Sequence, residues 1–128
     1  MQQHTATQPK VRAPGVLRLA LEMRAPWELG AGIASMPLLS LAPKGDGHPV
    51  VGFPGLIASD ASTELLRRYL AGRNYKAHRW EQGRNLGPRP GVLEGCARKV
   101  ESLYREHGQK VSLIGWSLGG IYARETAK

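Results

Sequence analysis

Three short apolar runs, each followed by a polar-apolar pattern of helical period, set the rhythm of this chain from residue 48 onward. HPVVGF (48–53), YKAHRW (75–80) and VSLIG (111–115) read as strands; the second is the alternating one, while VVGF and VSLI are continuously apolar. After the first strand, TELLRRYLAG places Leu65, Leu66, Tyr69 and Leu70 on one helical face, with Gly72 at the helix end. After the second, residues 92–107 carry Val92, Leu93, Cys96, Val100, Leu103 and Tyr104 at helical spacing, and Gly108 closes the helix. After the third, LGGIYARETAK begins another helix. Strand and helix in alternation predict a parallel sheet with right-handed crossovers and helices on both faces. The unbroken apolar character of VVGF and VSLI predicts strands covered on both sides.

The pattern upstream differs. Residues 1–15 are polar and proline-containing and are expected to form a disordered tail. Residues 16–47 are expected to form a separate helical segment: VLRLALEMR first, then PWELGAGIASM, starting at Pro26 and ending before Pro37. PKGDG (43–47) reads as a turn. The near-apolar run 30–42 is too short to span a bilayer and contains Pro37. Docking of residues 16–42 on the rest of the protein is preferred over contact with a membrane surface. Residues 48–128 are left as one α/β domain.

Charge alters this picture little. The chain carries 18 Lys and Arg against 10 Asp and Glu, a formal net charge of +8. The basic residues are scattered and often lie near acids, which is the pattern of a solvated surface rather than of a nucleic-acid groove. A basic binding module built on Arg67, Arg68, Arg79, Arg84 and Arg89, with an anionic partner, remains the alternative to an enzyme. The single cysteine, Cys96, excludes an intrachain disulfide framework and any multi-cysteine metal site, and falls on an apolar helix face. No metal or organic cofactor is implied. No secretory leader precedes the domain pattern, so a cytoplasmic location is expected.

The candidate chemistry lies at Gly115-Trp116-Ser117-Leu118-Gly119, a G-x-S-x-G set between a strand and a helix. The spacing has a steric cause. A serine on so sharp a turn takes a strained backbone conformation that lifts its Oγ clear of the sheet, and the residues two before and two after are driven together until only glycine fits. The helix that follows offers free N–H groups and its dipole to an oxyanion. An oxyanion hole needs two donors. Leu118 is one candidate; Leu56, in the loop after the first strand, is the other, with Gly55 allowing close approach.

On these residues the chain resembles the N-terminal half of an α/β-hydrolase-fold esterase or lipase. HPVVGFPGLIASD is similar to that family's strand and oxyanion loop, departing from its commoner His-Gly form, and VSLIGWSLGGIYARE to its nucleophile elbow. RAPWELG and GRNLGP also resemble segments of bacterial α/β hydrolases. The resemblance implies a strand order with 48–53 between 75–80 and 111–115, a nucleophile at Ser117, an oxyanion hole of Leu56 and Leu118, elbow glycines at Gly115 and Gly119, and a carboxylic ester as substrate. It also implies a catalytic acid and then a histidine after the serine. Only Glu125 follows, and no histidine. His4 falls in the tail, His48 and His107 at the opposite sheet edge, and His78 in mid-strand, while Asp60 reads as a helix cap. The expectation is therefore a partial α/β-hydrolase fold, cut after its elbow, with base and acid missing and little activity of its own, or else a non-catalytic remnant. Trp116, Arg84 and Asn85 are expected near the active edge, either shaping an acyl pocket or only packing.

Overall fold

The computed structural model describes residues 15–128, in two compact units that divide between Leu41 and Ala42. All of the expected tail except Gly15 lies outside the described residues. The first unit holds three short helices, α1 (Val16–Glu22), α2 (Ala25–Ala34) and α3 (Met36–Leu39). Two were expected; the second ends before Pro37, as expected, at Ala34, and a third follows with Pro37 in its first turn, where its missing N–H has no partner to lose. Neither α2 nor α3 buries a residue, and Val16 and Trp27 stand 85% and 84% exposed. No helix among the described residues is long and apolar enough to cross a membrane.

The second unit is an α/β arrangement: β1 (Pro49–Phe53), a 3₁₀ turn (Asp60–Thr63), α4 (Glu64–Gly72), β2 (Lys76–Arg79), α5 (Val92–His107), β3 (Ser112–Gly115) and α6 (Leu118–Thr126). The sheet has three strands in the order β2-β1-β3, and both pairings are parallel. Val51 lies opposite His78 on one side and Leu113 on the other.

Strand alternation explains the two faces. Every residue of β1 is buried. Val51 and Phe53 point into the main core, with Trp80, Cys96 and Leu103 of the β2 and α5 segments and Tyr122 of α6. Trp80 stacks on Tyr122 with ring centroids 6.4 Å apart, and its indole N–H donates to the Gly83 carbonyl at 3.0 Å. Burial pushes both the Cys96 thiol and the Tyr122 phenol up from their ordinary pKa values. On the opposite face, Gly52 lies against Thr63 of the 3₁₀ turn. Gly108 ends α5 in the left-handed conformation, φ 61°.

The shared apolar face of α4 is only partly covered: Tyr69 and Leu70 are half-buried, Leu65 and Leu66 are exposed, and no residue of α4 is fully enclosed. The turn before it is held by polar groups, with Arg67 donating to the Asp60 carbonyl at 2.8 Å and to Thr63 Oγ1 at 3.2 Å. Asp60 is not a helix cap. Its carboxylate instead accepts the backbone N–H of Trp80 at 3.0 Å and of Glu81 at 3.3 Å, tying the turn to the end of β2.

Candidate active site

Because Phe53 pairs with Gly115, β1 and β3 finish side by side, and the loops beginning at Pro54 and Trp116 leave the sheet together. Ser117 is the joint between β3 and α6, with φ 52° and ψ −121°. Such a backbone is strained for a residue with a Cβ. Three bonds hold it: Trp116 N–H to Phe53 O at 3.2 Å, Gly119 N–H to Trp116 O at 2.9 Å, and Gly120 N–H to Ser117 O at 2.9 Å.

The flanking glycines are required by contact. A Cβ on Gly115 would strike the backbone of Gly119 and Gly120, and one on Gly119 would strike the carbonyl of Phe53 and come within 2.6 Å of that of Pro54. Gly55 backs onto the serine itself: its Cβ would lie 3.3 Å from the Trp116 carbonyl oxygen and 3.4 Å from Ser117 Cβ. The sequence therefore brings Gly55 and Ser117 to one edge, as expected from the strand order.

Ser117 is exposed, and its hydroxyl is not spent on capping α6. Leu118 is the first residue of α6, so its N–H has no partner within the helix. Among the described residues neither the Leu118 N–H nor the Leu56 N–H has a backbone acceptor. Around them stand Leu56, Ile57 and Trp116, exposed by 54%, 67% and 78%.

The loop carrying Leu56 is strained and clamped. Ile57 has φ 59°, an uncommon conformation for a β-branched residue. Its N–H donates to the Asn85 carbonyl at 2.6 Å, and the Asn85 N–H donates to Ala58 O at 2.8 Å. The buried Asn85 side chain adds two bonds, donating through Nδ2 to Pro54 O at 2.9 Å and accepting the Gly87 N–H at 3.2 Å. Asn85 thus grips both ends of residues 54–58. The sequence reading put Asn85 near this edge without seeing the clamp. The available signal was a lone amide residue between Gly83 and Gly87, two glycines that both take positive φ.

No described histidine or carboxylate attends Ser117. Glu125 is held by Lys128 Nζ at 2.7 and 2.9 Å, a contact that keeps its pKa below the ordinary carboxylate value. His78 and His107 face each other with ring centroids 5.5 Å apart. His48 bonds to Ser112 at the start of β3, the opposite end from Ser117. His4 lies outside the described residues. No group of three potential metal ligands occurs among the described residues. The arginines considered for an anionic partner are partly neutralised: Arg67 and Arg68 bond to Glu64 at 2.6 and 2.8 Å, and Arg79 lies 4.0 Å from it.

Comparison of the chain with protein-family models, with curated proteins and with solved structures finds no match to any of them.

Proposed function

We propose that the second unit is part of an α/β-hydrolase-fold enzyme that cleaves carboxylic esters through an acyl-enzyme on Ser117. The observation that carries this reading is the backbone of Ser117, φ 52° in a two-residue strand-to-helix joint, packed against Gly55 of the neighbouring loop. A protein keeps such strain only where the surroundings enforce it. Here it leaves the hydroxyl exposed and uncommitted.

In this reading Ser117 Oγ attacks the ester carbonyl carbon. The carbonyl oxygen becomes an oxyanion and is held by the N–H groups of Leu56 and Leu118, assisted by the dipole of α6. The alcohol leaves, and water then releases the acyl group. The exposed Leu56, Ile57 and Trp116 favour an apolar acyl chain. The base that takes the Ser117 proton, and the acid that orients it, come from outside the described residues.

Boronic acids test the two donors without needing a base, because they form a tetrahedral anion on a serine. Titration of a phenylboronic acid into ¹⁵N-labelled protein is expected to shift the Leu56 and Leu118 amide resonances, and Ser117→Ala to abolish both shifts. Shifts confined to other amides, or unchanged in Ser117→Ala, would overturn the reading.

A further inference from the structure

The chain does contain a hydrogen-bonded acid, imidazole and hydroxyl in series, but they serve a different serine. Asp46 Oδ1 lies 2.5 Å from His48 Nδ1, and His48 Nε2 lies 2.7 Å from Ser112 Oγ. Gly47, at φ 86°, turns the chain so that Asp46 Oδ1 also accepts the backbone N–H of His48 at 3.1 Å. The edge of the His48 ring rests on Tyr75, centroids 5.1 Å apart. The imidazole is thus fixed from three sides.

The chemistry of the partners sets the tautomer. An ionised carboxylate only accepts hydrogen bonds, so His48 Nδ1 carries the proton. Neutral Nε2 is then a lone pair, and the Ser112 hydroxyl is its donor. That is the relation of nucleophile, general base and orienting acid used in acyl transfer. The His48 hydrogen bond holds the Asp46 carboxyl below the ordinary carboxylate pKa, so it is ionised at neutral pH. The three side chains line a groove of about 370 Å³ together with Gln109 and Lys110. Its location is the N-terminal edge of the sheet, the far end of β3 from Ser117.

We propose that Ser112, activated by His48 and Asp46, is a second nucleophilic hydroxyl that accepts acyl groups from activated esters such as aryl esters or thioesters. The Oγ–acyl bond forms as the bond to the aryloxide or thiolate breaks. The Ser112 proton passes to His48 Nε2 and from there to the leaving group or to water. Water attacks the acyl-serine with His48 again as base, releasing the carboxylic acid and restoring the hydroxyl. Gln109 and Lys110 supply the polar donors of the groove.

The test uses the whole chain and p-nitrophenyl acetate, with acid-quenched samples read by tandem mass spectrometry. Ser112 and Ser117 fall in one tryptic peptide, residues 111–124, so fragment ions must assign the acetyl group. The expected result is acetyl-Ser112. His48→Gln is expected to slow acetylation about 10²-fold, the usual scale of a general base. Asp46→Asn lies on an exposed turn and is the second variant should His48→Gln fail to fold. Its amide can donate to Nδ1, which favours the tautomer that removes the Nε2 lone pair, so a loss of at least about 10-fold is expected. Absence of acetyl at Ser112, or acetylation there that neither variant slows in folded protein, would overturn the proposal. Acetyl found on Ser117 alone would overturn it while favouring the other site.

Discussion

The Asn85 side chain donates to the carbonyl oxygen of Pro54 at 2.9 Å across 31 residues of sequence, and both residues are buried. Removing it strands two buried groups, Pro54 O and Gly87 N–H. Each costs about 1–3 kcal/mol when left unpaired. Asn85→Ala is therefore expected to lower stability by about 2–4 kcal/mol in urea unfolding and to speed hydrogen exchange at Ile57 and Ala58 in the folded protein. Loss of stability with no change in exchange there would mean that the clamp does not hold the loop.

The two glycines after Ser117 make opposite predictions although they are neighbours. A Cβ at Gly119 collides with the backbone of Phe53 and Pro54, atoms that cannot move without breaking β1. A Cβ at Gly120 comes no closer than 3.3 Å to Gly115 O, and alanine is the better helix former by about 1 kcal/mol. Gly119→Ala should cost about 3 kcal/mol or more, and Gly120→Ala should stay within about 1 kcal/mol of the parent. Thermal unfolding of both variants decides it; equal effects would place the elbow elsewhere.

Strain at Ser117 has its own signature. Glycine takes φ 52°, ψ −121° freely, whereas a residue with a Cβ stores about 1–3 kcal/mol there. The added freedom of the unfolded chain takes back about 0.5–1 kcal/mol. Ser117→Gly should thus raise stability by about 1 kcal/mol while Ser117→Ala leaves it nearly unchanged. If glycine and alanine behave alike, the backbone is not strained.

What could be read from sequence and what could not separates along a physical line. Parallel pairing and the joint at Ser117 follow from apolar periodicity and from glycines whose spacing has a steric meaning, whereas the strand order was implied only by the family resemblance. The polar ties did not show. Asp60 bonds to residues 20 and 21 positions away, Asn85 to one 31 away and His48 to one 64 away. Side chains that satisfy distant backbone or hydroxyl groups leave no local pattern, so Asp60 read as a cap and His48 only as a surface or packing histidine at the edge opposite the elbow. Periodicity placed Leu65, Leu66, Tyr69 and Leu70 on one face of α4 but reports only which residues share a face, not whether anything covers it.

Stability should fall on mild acidification because of His78. Burial pushes its pKa down, with Lys99 and His107 adding repulsion and Glu106 and Glu81 opposing, and its Nε2 is buried without a partner. A histidine depressed in the folded state leaves stability intact above its unfolded value of about 6.5, and loses it as pH drops below that toward the folded value. The lowered carboxyls of Glu64, held chiefly by Arg68, and Asp46, held by His48, act in the same direction but only at lower pH, near the carboxylate range. The urea midpoint should therefore decline as pH falls below about 6.5, and His78→Gln should flatten that decline. An unchanged slope in His78→Gln would assign it to other groups.

The sheet leaves two edges, and they differ in kind. β2 carries Lys76 and Arg79, charges that discourage a second strand from pairing. β3 reads Ser-Leu-Ile-Gly, has no charge, and exposes Ile114. Self-association is thus expected through β3 and not β2. The net charge of +8 opposes it, but at physiological ionic strength screening confines that repulsion to about 8–10 Å, whereas strand pairing acts at contact. Size-exclusion chromatography should show a larger species at moderate salt than at low salt. Ile114→Lys places a charge on the open edge and should return the protein to its low-salt elution volume. Association that persists in Ile114→Lys would point instead to the exposed apolar side chains of α1 and α2, and a monomer in both salts for the parent chain would show that β3 is protected without a charge.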